Sequence, residues 1–387
     1  MVEALITPKM VAWARERVQW TPELLAQKMY VSIEKIKAWE DESKREYPSL
    51  RQAINLSNKL HVPLGYLYLT DPPVEDVPLP DLRTVANKPL EKPSVDFIDT
   101  LYDAYRKQQW YRDYLIGEDA SELDFAGKYT VDDSPKTIAS DIQGTLNIND
   151  DLRKDSSSWN QFLTSLVRQA EESRILILRN SIVFNNVYRK LDVDEFRGFA
   201  IFDKIAPLVF INTRDYKTAQ IFTLIHEIAH IWIGQSGISN LDFRLRDNQQ
   251  RYRVDRLCDS IASEVLVPEN QFMSRWDGGR TIDDNISRLA VNFKVSSFVI
   301  LRRAYILDLI SNDEFTRNYD VLLRKVRPKS KEKNGDFHSL LKARNSYTLT
   351  ATLIAGLADG SVSPKEASQL LNIKPSSLKG IESSFIR

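Results

Sequence analysis

Residues 222–232, FTLIHEIAHIW, constrain this chain more than any other stretch. Ile225, Ile228, Ala229, Ile231 and Trp232 would cover most of a helix surface, so the segment belongs in a core. It nevertheless carries His226, Glu227 and His230, and a core accepts such groups only with partners. The HExxH spacing supplies one. Four residues are just over one helical turn, so both imidazoles project from one face and can bind a single Zn²⁺, with Glu227 beside the open coordination position as a general base. Close packing around them would fix the ligand rotamers and keep the site dry.

A catalytic zinc takes three protein ligands and leaves the fourth position to water. The candidate source of the third is residues 254–266, VDRLCDSIASEVL, ended by Pro268. Val254, Leu257, Ile261 and Val265 make an apolar stripe, and Asp255, Cys258, Asp259 and Ala262 lie along the adjacent one. Asp255 can lean from that edge to a metal, Glu264 falls on another part of the helix, and Cys258 reads as a small core residue. Spacing alone does not separate Asp255 from Asp259. Nor does it name an oxyanion-stabilising group, since Arg214 and Tyr216 are near only in sequence.

The 387 residues, 42% of them apolar, suit two or three globular domains and argue against wholesale disorder. Residues 1–70 show helical periodicity with marked starts: Thr21 before Pro22, Ser32, and Ser49 with Gln52 as a capping box. Between Pro22 and Asp41 the pattern suits a helix-turn-helix, with small Ala26 at the helix crossing, Ile33 and Ile36 inward and Trp39 closing the core. Ser32, Glu34, Lys35 and Lys37 would then face a DNA groove. Ten Lys or Arg against eight Asp or Glu give this part a net charge of about +2, only weak electrostatic support for binding DNA.

Residues 71–93 hold prolines at 72, 73, 78, 80, 89 and 93 and read as an extended linker. Residues 94–325 read as an α+β domain. A long helix is expected from Ser94 and another near 159–170, then short strands at 175–178, 182–184, 198–202 and 208–211, and helices again at 250–266, 286–293 and 297–309. The strand at 208–211 is a place where a substrate could add as a further strand, as well as an ordinary core strand. Residues 326–387 read as a connector and a small helical appendage: the basic run 324–333 is followed by helical signals at 347–357 and a capping box of Ser363 with Glu366.

The whole chain balances 53 basic against 53 acidic side chains, which removes the simplest argument for a polyanion-coating protein. One cysteine, Cys258, excludes an intrachain disulfide, and no apolar run is long enough to span a bilayer. A cytoplasmic location is expected.

These residues resemble the ImmA/IrrE family of metallopeptidase-like regulators that carry an Xre-type helix-turn-helix. The resemblance rests on PLVFIN at 207–212, IFTLIHEIAH at 221–230, LCDSIASEVLVP at 257–268, and the helix-turn-helix followed by PLGYLYLTDPP and PLPDLRT. It implies a mostly α fold with a small sheet, zincin-like in its peptidase domain. It also implies that the third zinc ligand is the acidic residue three positions before the distal cysteine, here Asp255 where the family usually has Glu. Tyr30 stands where the family commonly has glycine, which suggests a slightly different turn. The resemblance further implies a protein partner, a transcriptional repressor that the domain cleaves or inactivates, and DNA as a possible partner of the N-terminal domain. The alternative is a non-proteolytic helix-turn-helix regulator or antitoxin-like protein with a structural metal.

Overall fold

The computed structural model describes residues 2–73, 93–239, 250–325, 337–378 and 380–381. By their contacts the residues form two compact units: one made of the N-terminal helices and the start of the helix beginning at Val95, the other of everything from Tyr102 onward. Most of the proline-rich linker, with the PLPDLRT motif, and the basic run after Lys325 lie outside the described residues.

In the first unit α1 (Pro8–Arg17), α2 (Pro22–Met29), α3 (Ile33–Trp39) and α4 (Leu50–Leu60) surround a core of Val11, Leu25, Ile36, Trp39 and Leu56, each at most 1% exposed. The starts are capped as expected: Thr21 Oγ1 accepts from Leu24 N, Ser32 Oγ from Lys35 N, and Ser49 with Gln52 closes a full capping box. Tyr30, however, sits at φ 55° and ψ 44°, the left-handed region that glycine favours. The left-handed position of this turn is thus filled without glycine, and backbone strain is the cost.

The second unit contains most of α5 (Val95–Gly117), then α6 (Pro135–Thr145), α7 (Asp150–Lys154) and α8 (Trp159–Glu172). The sheet strands are β1 (Leu176–Asn180), β2 (Gly198–Ile201), β3 (Leu208–Asn212) and β4 (Gly237–Ser239), in the order β1-β3-β2-β4. β3 runs parallel to β1 and antiparallel to β2, and β2 is antiparallel to β4. The fold is mostly α with a small mixed sheet, as the periodicities indicate. Two strand expectations need correction. Residues 182–184 contribute only an isolated bridge, Ile182 to Lys190, because Phe184 turns the chain at φ 50°. And β3 is hydrogen-bonded along both edges, so the stretch 208–211 has no edge left to receive a substrate strand.

Helices α9 (Lys217–Trp232) and α10 (Gln250–Leu266) follow, then α11 (Glu269–Arg275), α12 (Ile282–Phe293), α13 (Ser297–Ile306) and α14 (Asn312–Lys325). A C-terminal group comprises α15 (Phe337–Asn345), α16 (Tyr347–Asp359) and α17 (Pro364–Leu370). Ser363 caps α17 through Glu366 N, but the Glu366 carboxylate accepts from Trp110 Nε1 at 2.8 Å and so serves α5 instead of completing a capping box. Among the described residues no helix is long and apolar enough to cross a membrane.

Candidate metal centre

Helix α9 is buried from Gln220 to Trp232, as its all-round apolar surface requires. Both of its ends are fixed. At the start Gln220 Nε2 donates to the carbonyls of Thr213 and Asp215, and Asn212 Nδ2 donates to those of Asp192 and Phe196. At the end the free carbonyls of Ile231 and Trp232 accept from Gly127 N and Tyr129 N, while the Trp232 ring stacks on Phe125 at 4.2 Å and donates to Asp141. These contacts set which face α9 turns toward α10.

His226 and His230 lie on one face, with ring centroids 5.1 Å apart. Helix α10 packs across them in the opposite direction. Asp259 faces His226 with Oδ1 2.9 Å from Nδ1, and Asp255, one turn earlier, faces His230 with Oδ1 3.5 Å from Nε2. A carboxylate can only accept, so Nδ1 of His226 donates to it, and Nε2 becomes the lone-pair atom whenever the ring is neutral. Asp259 is itself held by Arg302 Nη1 of α13 at 3.0 Å.

His226 Nε2 and both ring nitrogens of His230 are buried without a hydrogen-bond partner. Such atoms normally cost about 1–3 kcal/mol each when left unsatisfied. A cation bound between the rings would satisfy one nitrogen of each. Two ligand atoms about 2.0–2.2 Å from a tetrahedral zinc stand about 3.3–3.6 Å apart, which the 3.5 Å between His230 Nε2 and Asp255 Oδ1 matches. The potential agrees with a cation. Burial opposes charge on His226, but the hydrogen bond and charge of Asp259, with Glu227 and Asp255 behind them, outweigh it and raise its pKa to about 9.

Cys258 is the further donor of the cluster: its Sγ and a ring nitrogen of each histidine lie within 4.8 Å of one another, so His226, His230 and Cys258 form a group able to hold a metal ion. Burial, followed by the charges of Asp255, Glu227 and Asp259, pushes the thiol up and disfavours the thiolate that a metal needs. Glu227 is fully buried. Of the two residues near in sequence, Arg214 donates to the Leu191 carbonyl and Tyr216 stands at the N-cap of α9.

Sequence reasoning missed three supports. Arg302 lies 43 residues from the aspartate it holds. Gly237 of β4 lies on the His230 ring, where an added Cβ would come within 2.4 Å of Cε1. Gly198 of β2 lies against Glu227, with an added Cβ 3.0 Å from Oε1 and 2.8 Å from the Phe210 carbonyl. The partner of His226 did leave a partial signal: His226 and His230 are four apart, as are Asp255 and Asp259, the pattern of two helices meeting in register whichever way they run.

This geometry falls within one recognisable segment. Residues 170–305 match the model of a peptidase family described as the IrrE N-terminal-like domain. The match holds every residue of the centre, from Gly198 through Arg302. It does not extend to the N-terminal helices. No curated protein and no solved structure matches the chain.

Proposed function

We propose that residues 94–325 act as a zinc-dependent endopeptidase, and that the N-terminal helices bring this activity to a transcriptional repressor or its operator in the cytoplasm. The observation that carries the reading is the set of buried nitrogens on His226 and His230 that have no hydrogen-bond partner, beside Glu227, with Asp255 Oδ1 at ligand-to-ligand distance from His230 Nε2. His226, His230 and Asp255 are the zinc ligands in this reading. Asp259 orients His226, and Cys258 is a neighbour of the ligands. Asp255 keeps 38% of its side chain exposed, so the centre is reachable from the carboxylate side.

Bound zinc would supply Lewis acidity, polarising a peptide carbonyl and making water nucleophilic near neutral pH. Glu227 accepts the proton of the attacking water and passes it to the leaving amine.

In the N-terminal unit Ser32, Glu34, Lys35 and Lys37 are all exposed around the start of α3. That placement supports α3 as the groove-reading helix, with Lys35 and Lys37 supplying phosphate or base contacts.

Replacing Glu227 with Gln tests the mechanism. Stoichiometric zinc should remain while cleavage of a cognate repressor, followed by gel and mass spectrometry, falls at least 1,000-fold. Cleavage at the wild-type rate would reject Glu227 as the base. Repression that persists unchanged in a strain carrying the variant would favour the non-proteolytic regulator with a structural metal.

A further inference from the structure

A cavity of about 590 Å³ lies beside the first turns of α9, walled by α12, the start of α13 and the end of α14. Its size falls in the range of small-molecule sites. Phe222, Ala290, Val295, Val299 and Leu322 give it an apolar lining. Trp159, Tyr216 and Leu323 also line it, yet stay 39%, 40% and 40% exposed, a group of large apolar side chains left in water around one opening. Its charges cancel in pairs: Arg197 meets Asp215 at 3.2 Å and Lys325 meets Asp283 at 3.0 Å. A charged ligand would have to break one of these pairs, so the lining selects an uncharged one.

None of His226, Glu227, His230 or Asp255 lines this space. It is nevertheless tied to the metal centre through two of its walls. Phe222 stands one helical turn before His226 on the same stripe of α9. On α13, Phe298 lines the cavity and stands one turn before Arg302, which holds Asp259 against His226. A shift of either helix at the cavity therefore moves the aspartate, the histidine, or both.

We propose that this cavity binds an uncharged small molecule with an apolar, aromatic-sized body, and that its occupancy tunes the metal centre through α9 and α13. Binding itself does not rest on the peptidase reading; only the coupling rests on the metal.

The probe is 1-N-phenylnaphthylamine, uncharged and strongly emissive only out of water, titrated into the full-length protein. Saturable binding of one probe per chain is expected. Ala219→Trp and Ser287→Trp each place an indole in the cavity from positions that are not fully buried, and each should weaken binding at least tenfold. Val187→Trp, at an exposed position outside the cavity, should not, and circular dichroism checks that every variant is folded. Zinc affinity, measured by chelator competition, should change at least threefold when the probe is saturating, and the probe's affinity should change by the same factor on zinc addition. Absence of saturable binding, or binding untouched by both filling variants, overturns the site. Equal zinc affinity with and without probe overturns the coupling. Displacement of the probe by a repressor polypeptide in proportion to its cleavage would assign the space to substrate side chains and overturn the effector reading.

Discussion

At the scale of single residues, the centre depends on which atoms surround two imidazoles, and part of that was legible in the chain. The HExxH spacing placed His226 and His230 on one face, and the fold keeps them there. The aspartates were harder. Spacing put Asp255 and Asp259 on one stripe without saying which meets which ring, because that depends on the direction in which α10 crosses α9. The structure divides them: Asp259 takes Nδ1 of His226, and Asp255 approaches Nε2 of His230. The expected outcomes differ accordingly. Asp255→Ala should lose stoichiometric zinc, whereas Asp259→Asn should keep one zinc per chain but bind it 10- to 100-fold more weakly, as for loss of a group that orients a ligand. Equal loss in both, by metal analysis after dialysis, would undo this division. Gly237 gives a test that touches no ligand. Its alanine variant forces the His230 ring to move, so zinc affinity should fall at least tenfold. Gly144→Ala, on a helix with nothing within 4 Å of the new methyl, should leave it unchanged.

Elements were legible in proportion to their length. The 16-residue α9 and 17-residue α10 carry enough periods to be read, whereas β4 has three residues and no alternation to show. Yet β4 supplies the glycine that lies on His230. The pairing partners of β3 were equally hidden, since its four-residue apolar run reads the same at an edge or in the middle of a sheet. In the N-terminal unit the turn between α2 and α3 is legible from its caps, but the residue at its left-handed position is Tyr30, 91% exposed. With so little contact to lose, Tyr30→Gly should stabilise this unit by about 1 kcal/mol through relief of the left-handed backbone. Urea unfolding of the unit's own transition measures it. Destabilisation instead would mean that the ring makes contacts worth more than the strain.

Across the whole molecule, the two units have separate apolar clusters: one built around Leu25, Ile36, Trp39 and Leu56, the other running through α9, α10, α12 and α13. The proposed ligands His226, His230 and Asp255 all belong to the second unit. Loss of metal should therefore act on one unit and spare the other, an expectation that a formal net charge of zero, or any other whole-chain property, would not give. The size follows from linkage: a ligand at 1,000 times its dissociation constant stabilises the fold that binds it by about 4 kcal/mol. In a domain of this size each kcal/mol moves the melting point by about 2–4 °C, so chelation should lower the larger unit's transition by roughly 10 °C. The transition of the N-terminal helices should stay in place. Calorimetry of the full chain with and without a chelator reads both at once, and the Asp255→Ala protein should melt like the chelated wild type. Two transitions that ignore the chelator would mean that the histidine nitrogens are buried for some purpose other than holding an ion. A drop confined to the larger unit would place the metal where α9 and α10 cross.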